Sequence, residues 1–368
     1  MKSRCRVAIV GTVGLPPRYG GFETLAHFLV FYLGQELDFT VYCSGPDYPV
    51  HAETYLSSRL KYLPFRANGA QSVLFDLISL ADSCFRADII LVLGVSGGVF
   101  VPFARLFRKP VILNIGGLDW QRSKWGRWAS RFLRMSESWA VKWASVLVAD
   151  NAGIATYLAS EYRKESVLIE YGGDQIGLPP VTDELRQRYP FLAAPYAFAV
   201  ARIQPDNNIA MILEAFTRSE AHVLVLVGNW ASSAFGRELK IRYNGHGNLH
   251  LLEAIYEPEE LNTLRGHCSI YIHGHSAGGT NPSLVEAMHL SLPIAAYDVV
   301  YNRATTEGAA RYFRNAAELE GLLNCLSPTE WDTQRVVMKE IASRRYNWST
   351  IADKYEKIIR PSCQQEST

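Results

Sequence analysis

Several signatures of common protein classes are missing from this sequence. The six cysteines, at positions 5, 43, 84, 268, 325 and 363, form no Cys-x-x-Cys pair, so reduced thiols are expected instead of disulfides or a zinc site. The apolar run at residues 89–103 contains three glycines and is shorter than the roughly 20 residues that a membrane helix needs. Lys plus Arg (37) balance Asp plus Glu (36), which gives no reason to expect nucleic-acid binding.

Two sequence motifs are also missing. There is no Asp-x-Asp, the acidic pair that would suggest a metal-bridged diphosphate, and no Gly-x-Gly-x-x-Gly dinucleotide fingerprint. We therefore expect neither a metal nor a cofactor. The first apolar run is only as long as a strand and lacks a secretory cleavage site, which predicts a cytoplasmic protein.

Short apolar runs alternate with helical patterns along the chain, which is typical of α/β proteins with parallel sheets. The first half has such runs at 7–10, 39–42, 89–93, 111–115, 146–149 and 167–170, and the second at 196–201, 223–227, 249–252, 269–273 and 294–296. We predict two facing Rossmann-like domains with a cleft between them, at 1–175 and 176–347. A C-terminal helix at about 348–362 is expected to pack back on the first domain.

A glycine-rich turn follows the predicted strand at 269–273 and precedes a helix. Gly278 and Gly279 allow the backbone to approach a ligand, and Pro282 suits the first turn of a helix. The free amides of a helix N-terminus bind phosphate, and Glu286, one turn later, is placed to accept ribose hydroxyls. Gly20 and Gly21 form a similar turn after the strand at 7–10.

Residues 120–143 are unusually basic and aromatic. The segment contains five of the eight tryptophans and one acid, Glu137, and its basic residues are Arg122, Lys124, Arg127, Arg131, Arg134 and Lys142. A helix of this composition is suited to an anionic membrane surface. The alternative is an ordinary surface helix whose tryptophans face the core.

Taken in order, several segments resemble those of retaining glycosyltransferases with the GT-B fold. They are the N-terminal glycine turn, Gly117-Leu-Asp-Trp120, Tyr171-Gly-Gly-Asp174, the stretch 201–208, and Gly278-Gly-Thr-Asn-Pro-Ser283. Within that group the chain is most similar to bacterial rhamnosyltransferases of capsule and exopolysaccharide assembly, of the β-1,4 type. The resemblance covers nearly the whole chain.

The resemblance implies roles for individual residues. Arg202 would contact the donor diphosphate, Glu286 the ribose, and Asp119 the sugar and acceptor, with Arg202 and Asp119 as catalytic residues. Glu23 would lie on the acceptor side, and Asp119 has an alternative role as the N-cap of a helix around residues 120–128. The further donor-binding residues would be Gly20, Gly21, His275, Gly279, Thr280, Asn281, Pro282, Ser283 and Leu284.

The chain departs from the wider superfamily at two positions. Asn207 stands where a Lys is usual, and Gly278 stands where a Glu normally contacts the donor sugar. Arg18 or Arg303 would then help Arg202 and the helix N-termini to neutralise the diphosphate. A second interpretation follows from these departures, in which the protein is a non-catalytic nucleotide-sugar sensor or partner subunit.

The function implied by the resemblance is sugar transfer with retention and without metal. The expected donor is dTDP-rhamnose or another dTDP- or UDP-linked sugar, and the expected acceptor is a saccharide, lipid-linked, in cell-surface polysaccharide synthesis. The predicted location is cytoplasmic, with peripheral contact to the anionic inner face of the plasma membrane. No nucleic-acid partner is expected.

Overall fold

A computed structural model of the chain describes residues 4–18, 20–122, 125–325 and 328–364. The chain divides into two compact units: one comprises Met1–Tyr171 and Trp348–Thr368, and the other comprises Gly172–Asn347. Each unit contains one β-sheet, wholly or mainly parallel, with helices in the connections between its strands. No helix in the described part of the chain combines the length and the apolar composition needed to cross a membrane.

The first unit has an eight-stranded sheet in the order β3-β4-β2-β1-β5-β6-β7-β8. Every neighbouring pair is parallel except β3 and β4. All five residues of β5 are buried, as expected for a central strand covered by helices on both faces. The strands are β1 (Arg6–Val10), β2 (Asp38–Ser44), β3 (Thr54–Tyr55), β4 (Ser58–Leu63), β5 (Ile89–Leu93), β6 (Val111–Asn114), β7 (Val146–Ala149) and β8 (Val167–Leu168).

Six α-helices lie in the part of this unit that the structure describes. Their bounds are α1 (Gly21–Leu33), α2 (Ser72–Arg86), α3 (Val101–Leu106), α4 (Arg127–Trp143), α5 (Ala152–Tyr162) and the C-terminal α14 (Trp348–Gln364). Helix α14 is tied to the unit by side chains: Trp348 stacks on Phe28 at 4.4 Å between ring centroids, and Lys354 pairs with Glu170 at 3.0 Å.

The second unit has a six-stranded, all-parallel sheet in the order β11-β10-β9-β12-β13-β14. Its strands are β9 (Ala197–Val200), β10 (Leu224–Val227), β11 (Leu249–Leu252), β12 (Ile270–His273), β13 (Ile294–Tyr297) and β14 (Arg311–Phe313). Its helices are α6 (Asp183–Arg188), α7 (Ile209–Arg218), α8 (Ala234–Tyr243), α9 (Pro258–Gly266), α10 (Pro282–His289), α11 (Val300–Thr305), α12 (Ala316–Cys325) and α13 (Pro328–Arg345).

The expectation that all cysteines are reduced is wrong for one pair. Cys5, just before β1, and Cys363, near the end of α14, form a disulfide although 358 positions separate them in sequence. The sequence gives no sign of this bond, because only the fold brings the two ends together. Cys43, Cys84 and Cys268 are free and buried.

Candidate functional site

In the second unit, three loops meet at the carboxyl ends of neighbouring strands. They follow β9, β12 and β13, which lie side by side in the sheet. Asparagine side chains join them: Asn208 donates to the main-chain oxygen of Gly274 at 2.8 Å, and Asn302 donates to that of His275 at 2.9 Å. Open α/β sheets bind their ligands at this edge.

The loop after β9 carries Arg202, which is exposed, beside Ile203, which is buried. Asn207 is 7% exposed, and its side-chain amide donates to the main-chain oxygen of Arg202 at 2.7 Å. The main chain of this loop also approaches the loop after β12. A Cβ on Gly274 would lie 2.2 Å from the oxygen of Asn207, so this contact requires glycine.

The loop after β12 ends in the N-terminus of α10. Asn281 caps the helix, because its Oδ1 accepts from the amide of Ser283 at 3.0 Å. The amide of Leu284 donates to the main-chain oxygen of Asn281 at 3.1 Å, and Pro282 has no N–H. In the predicted phosphate-binding turn, Pro282 therefore has no N–H for a phosphate, and the amides of Ser283 and Leu284 already donate to Asn281. Thr280 and Leu284 side chains are buried.

Two histidines flank Gly274 at the end of β12. The rings of His273 and His275 stack with 4.4 Å between centroids. His273 is 1% exposed, and its ring nitrogens have no hydrogen-bond partner among the described residues. Burial, together with the neighbouring His275, lowers the pKa of His273 well below its ordinary value, so this imidazole is neutral at physiological pH.

Glu286 lies on α10 with both carboxylate oxygens in contact with donors. Arg265 of α9 donates to Oε2 at 2.6 Å, and Gln175 donates to Oε1 at 2.9 Å. Neither partner was singled out from the sequence, since nothing in the pattern around Arg265 or Gln175 relates them to position 286. The side chain of Glu286 remains 21% exposed.

In the first unit, Gly20 and Gly21 lie where α1 begins, as expected from the sequence. Glu23 is 6% exposed, and its Oε1 accepts from the amide of Val13 at 2.9 Å and from the hydroxyl of Thr12 at 3.2 Å. A Cβ on Gly20 would lie 1.8 Å from Oε2 of Glu23. This carboxylate therefore holds the loop between β1 and α1 in shape.

Asp119 follows β6 and begins a single 3₁₀ turn, Asp119–Gln121. Its carboxylate lies 2.8 Å from Nε of Arg122. The alternative role as a helix N-cap is wrong, because α4 starts at Arg127 and Gly126 is its N-cap residue. The loop after β6 contacts the start of α1, since a Cβ on Gly116 would lie 2.4 Å from the ring of Phe22.

The two proposed helpers for the diphosphate differ in their surroundings. Arg303 forms a two-point ion pair with Asp298, at 2.5 and 3.0 Å. Arg18, in the first unit, is exposed and lies over the ring of Tyr48 at 4.9 Å. In the described ranges, no three His, Cys, Asp or Glu side chains come together as a metal site would require.

Comparisons with known protein families give a different match for each half of the chain. Residues 181–311 match the family model "Glycosyl transferases group 1". This match lies within the second unit. Residues 4–174 match a domain of unknown function, DUF1972. No curated protein matches the chain.

Solved structures show the fold of the whole chain. Sucrose-phosphate synthase (tll1590) from Thermosynechococcus elongatus is 17% identical, with a TM-score of 0.78 over 97% of this chain and 99% of that one. Anabaena Alr3699/HepE in complex with UDP-glucose is 16% identical, with a TM-score of 0.76 over 97% and 99%. An α,α-trehalose 6-phosphate synthase from Burkholderia multivorans is 11% identical, with a TM-score of 0.73 over 99% and 98%. These neighbours confirm the predicted GT-B fold class.

The two departures from the superfamily pattern, at Asn207 and Gly278, both involve the backbone. The side-chain amide of Asn207 donates to the main-chain oxygen of Arg202 and so holds the Arg202 loop. Gly278 has φ +121°, a conformation that side-chain-bearing residues rarely adopt. A Cβ there would meet nothing within 4 Å, so the backbone conformation and not lack of space favours glycine.

Proposed function

We propose that the protein transfers a sugar from a nucleoside diphosphate to a saccharide acceptor. The observation that carries the proposal is the arrangement in the second unit, where Arg202, the N-terminus of α10 and Glu286 lie on adjoining loops and one helix. The group 1 match over residues 181–311 and the UDP-glucose complex of HepE support it. A cation and main-chain amides suit the diphosphate, and a carboxylate suits ribose hydroxyls.

In this proposal, Arg202 and the amides of Gly279 and Asn281 bind the diphosphate. The amides further along the turn already donate to Asn281. As the bond between the anomeric carbon and the phosphate oxygen breaks, the leaving diphosphate gains negative charge. These donors stabilise that charge, and a leaving phosphate oxygen takes the proton from the acceptor hydroxyl on the same face. Such a transfer retains the anomeric configuration.

The finer assignment is a rhamnosyltransferase that uses dTDP-rhamnose and a lipid-linked saccharide of a cell-surface polysaccharide. It rests on the sequence resemblance. Asp119, half-exposed beside Arg122, is the proposed polar contact to the sugar and acceptor. The proposed acceptor role of Glu23 is indirect, because its buried carboxylate shapes the loop.

Peripheral membrane contact is part of the same proposal, and α4 supports it. Trp128 is 82% exposed, Trp139 47% and Trp143 39%, so these tryptophans do not face the core. The only acid of the helix, Glu137, is fully buried, whereas its exposed residues include Arg127, Arg131, Arg134 and Lys142. This exposed side of α4 suits an anionic lipid surface. Lys124 lies outside the described residues.

The direct test is nucleotide binding to Arg202→Ala. Titration of the wild type against dTDP, UDP and GDP and their sugars identifies the donor. Because a hydrogen bond to a charged group contributes about 1.5–3 kcal/mol, the variant should bind that nucleotide roughly 10- to 100-fold more weakly. Arg218→Ala, which removes an exposed arginine of α7, is the matched control and should bind normally. Equal affinity in Arg202→Ala and wild type would contradict the assignment.

Metal independence is tested by chelation. The proposed charge stabilisation uses Arg202 and main-chain amides, so sugar transfer should continue at an unchanged rate in excess EDTA. Loss of transfer that added Mg²⁺ or Mn²⁺ restores would show that a cation carries part of this charge.

The alternative, a non-catalytic binding subunit, rested on Asn207 and Gly278. Asn207 holds the Arg202 loop and Gly278 has a positive φ, so neither departure by itself indicates loss of turnover. Turnover separates the two: an enzyme releases free nucleoside diphosphate from the bound donor in the presence of acceptor, and a binding subunit does not.

A further inference from the structure

Arg265 is a buried cation whose carboxylate partner is Glu286. The residue lies near the end of α9 and is only 2% exposed. Its Nη1 donates to Oε2 of Glu286 at 2.6 Å, and its Nη2 donates to Oδ1 of Asn262 at 2.9 Å. Its Nε has no hydrogen-bond partner among the described residues. The guanidinium thus has one charged partner, Glu286, and one neutral partner, Asn262, while its Nε is left unsatisfied.

Such a pair is a poor way to stabilise a core. Removing a guanidinium from water is costly, and well-packed apolar residues often stabilise a protein at least as well as a buried ion pair. The pair differs from a core contact in one respect, because the carboxylate end stays 21% exposed while the arginine is covered. Glu286 can therefore contact a ligand directly, whereas Arg265 can affect the ligand only through Glu286.

The second oxygen of the carboxylate is also oriented. Gln175 donates to Oε1 at 2.9 Å, while Arg265 holds Oε2. Each carboxylate oxygen accepts about two hydrogen bonds, so each retains capacity for a ligand hydroxyl. Two donors from different parts of the unit therefore fix the plane of the carboxylate without using up its acceptor capacity.

We propose that Arg265 is a positioning residue for the donor nucleoside: it holds Glu286 in the orientation in which the carboxylate accepts hydrogen bonds from the sugar hydroxyls of the nucleotide. The inference rests on the proposed function, and it adds a residue that does not itself touch the ligand. On this proposal, Arg265 strengthens the binding of the pentose and does not affect the binding of the diphosphate.

The test compares each nucleotide with its analogue that lacks the pentose hydroxyls. Isothermal titration gives the dissociation constants of UDP and 2′,3′-dideoxy-UDP, and of dTDP and 2′,3′-dideoxy-TDP. The ratio of the two constants in a pair measures the hydroxyl contribution. For wild type we expect roughly tenfold weaker binding of the dideoxy form in at least one pair. The variants are Arg265→Met and Arg265→Lys, both checked for folding by circular dichroism.

In either folded variant the ratio should fall at least threefold, while binding of the dideoxy nucleotide stays within twofold of wild type. Lysine is included because its single ammonium cannot contact Glu286 and Asn262 in the forked geometry of arginine. The control is Arg188→Met, which breaks the pair between Arg188 and Glu260 of the same helix α9 and should leave the ratio unchanged.

Two results would contradict different statements. An unchanged ratio in a folded Arg265 variant, or equal weakening of parent and dideoxy nucleotides, would overturn the positioning role and leave the proposed function intact. Failure of wild type to bind any of these four nucleotides, and GDP as well, would contradict the proposed function itself.

Discussion

At the scale of single residues, burial changes the protonation of Asp76 in the first unit. This residue of α2 is 5% exposed and accepts from the hydroxyl of Ser96 at 2.5 Å. Burial raises the pKa of Asp76 from 3.8 to about 7, although the hydrogen bond from Ser96 opposes the shift. Between these two values the folded protein keeps a proton that the unfolded chain has released.

Asp76→Asn should therefore remove a pH dependence of stability. Since the folded state binds more protons between about pH 4 and pH 7, the wild type loses stability as the pH rises through this window, with a slope of up to about 1.4 kcal/mol per pH unit. The asparagine retains an acceptor for Ser96 but does not titrate. Urea unfolding at several pH values should show the stability of the variant, relative to wild type, increasing with pH.

Asp82→Asn, on the same helix, is the control for this prediction. Burial alone would raise the pKa of Asp82, but hydrogen bonds from Lys61, Tyr42 and Arg86 lower it below its ordinary value. Asp82 thus stays ionised in both states above pH 5, and its variant should show no added slope between pH 5 and 7. A wild-type stability that does not fall across that range relative to Asp76→Asn would contradict the assignment for Asp76.

The candidate site shows what single residues can reveal before a fold is known. The glycine turns and Glu286 could be predicted, because a strand, a turn and the start of a helix follow one another in the sequence. Arg265 and Gln175 lie 21 and 111 positions from Glu286, and no local pattern predicts their contacts with it. In the sequence, Asn207 stands out only because a lysine is usual at this position. The contact of its side chain with the main chain of Arg202 is visible only in the folded loop.

At the scale of elements, strands marked by a mainly apolar run could be predicted, both inside a sheet and at its edge, where β8 and β11 lie. The predicted strands at 89–93, 146–149 and 249–252 agree with β5, β7 and β11 residue for residue. Strands β3, β4 and β14 were missed. Polar or charged residues take up much of each, as in Ser58–Leu63, in place of the apolar run that indicates a buried strand.

The exposed side of α4 leads to a prediction about membrane binding. Each basic residue near an anionic surface contributes on the order of 1 kcal/mol, reduced by salt. Wild type should co-sediment with vesicles that contain an anionic phospholipid at low salt and should be released at high salt. The triple change of Arg127, Arg131 and Arg134 to Gln should abolish most of this binding.

The control for α4 is a triple change with the same loss of charge in the second unit, namely Arg218, Arg237 and Arg242 to Gln. All three residues are exposed. If net charge alone caused the binding, both triple variants would lose it equally. Equal, salt-insensitive recovery of wild type with neutral and anionic vesicles would contradict a membrane role for α4.

At the scale of the whole molecule, the chain leaves the first unit after Tyr171 and returns to it at Trp348. The returning helix α14 is held by polar as well as aromatic contacts: Asn114 donates to the hydroxyl of Tyr355 at 2.7 Å, and Arg360 pairs with Glu36. The first unit is therefore complete only when the end of the chain is in place. Residues 1–171 alone would lack these contacts.

The Cys5–Cys363 disulfide links the two ends of the chain covalently. We therefore predict its effect on the stability of the oxidised protein. A cross-link between residues 358 positions apart restricts the unfolded chain strongly, and such bonds typically contribute about 2–4 kcal/mol. Urea unfolding without reductant should show Cys363→Ser less stable than wild type by about this amount, and dithiothreitol should bring the two to similar stability. Cys84→Ser, at a free buried cysteine, should respond to dithiothreitol as the wild type does.

Thiol titration of the unfolded, unreduced protein tests the Cys5–Cys363 bond independently. Six reactive thiols per chain, equal to the number of cysteines in the sequence, would contradict the bond.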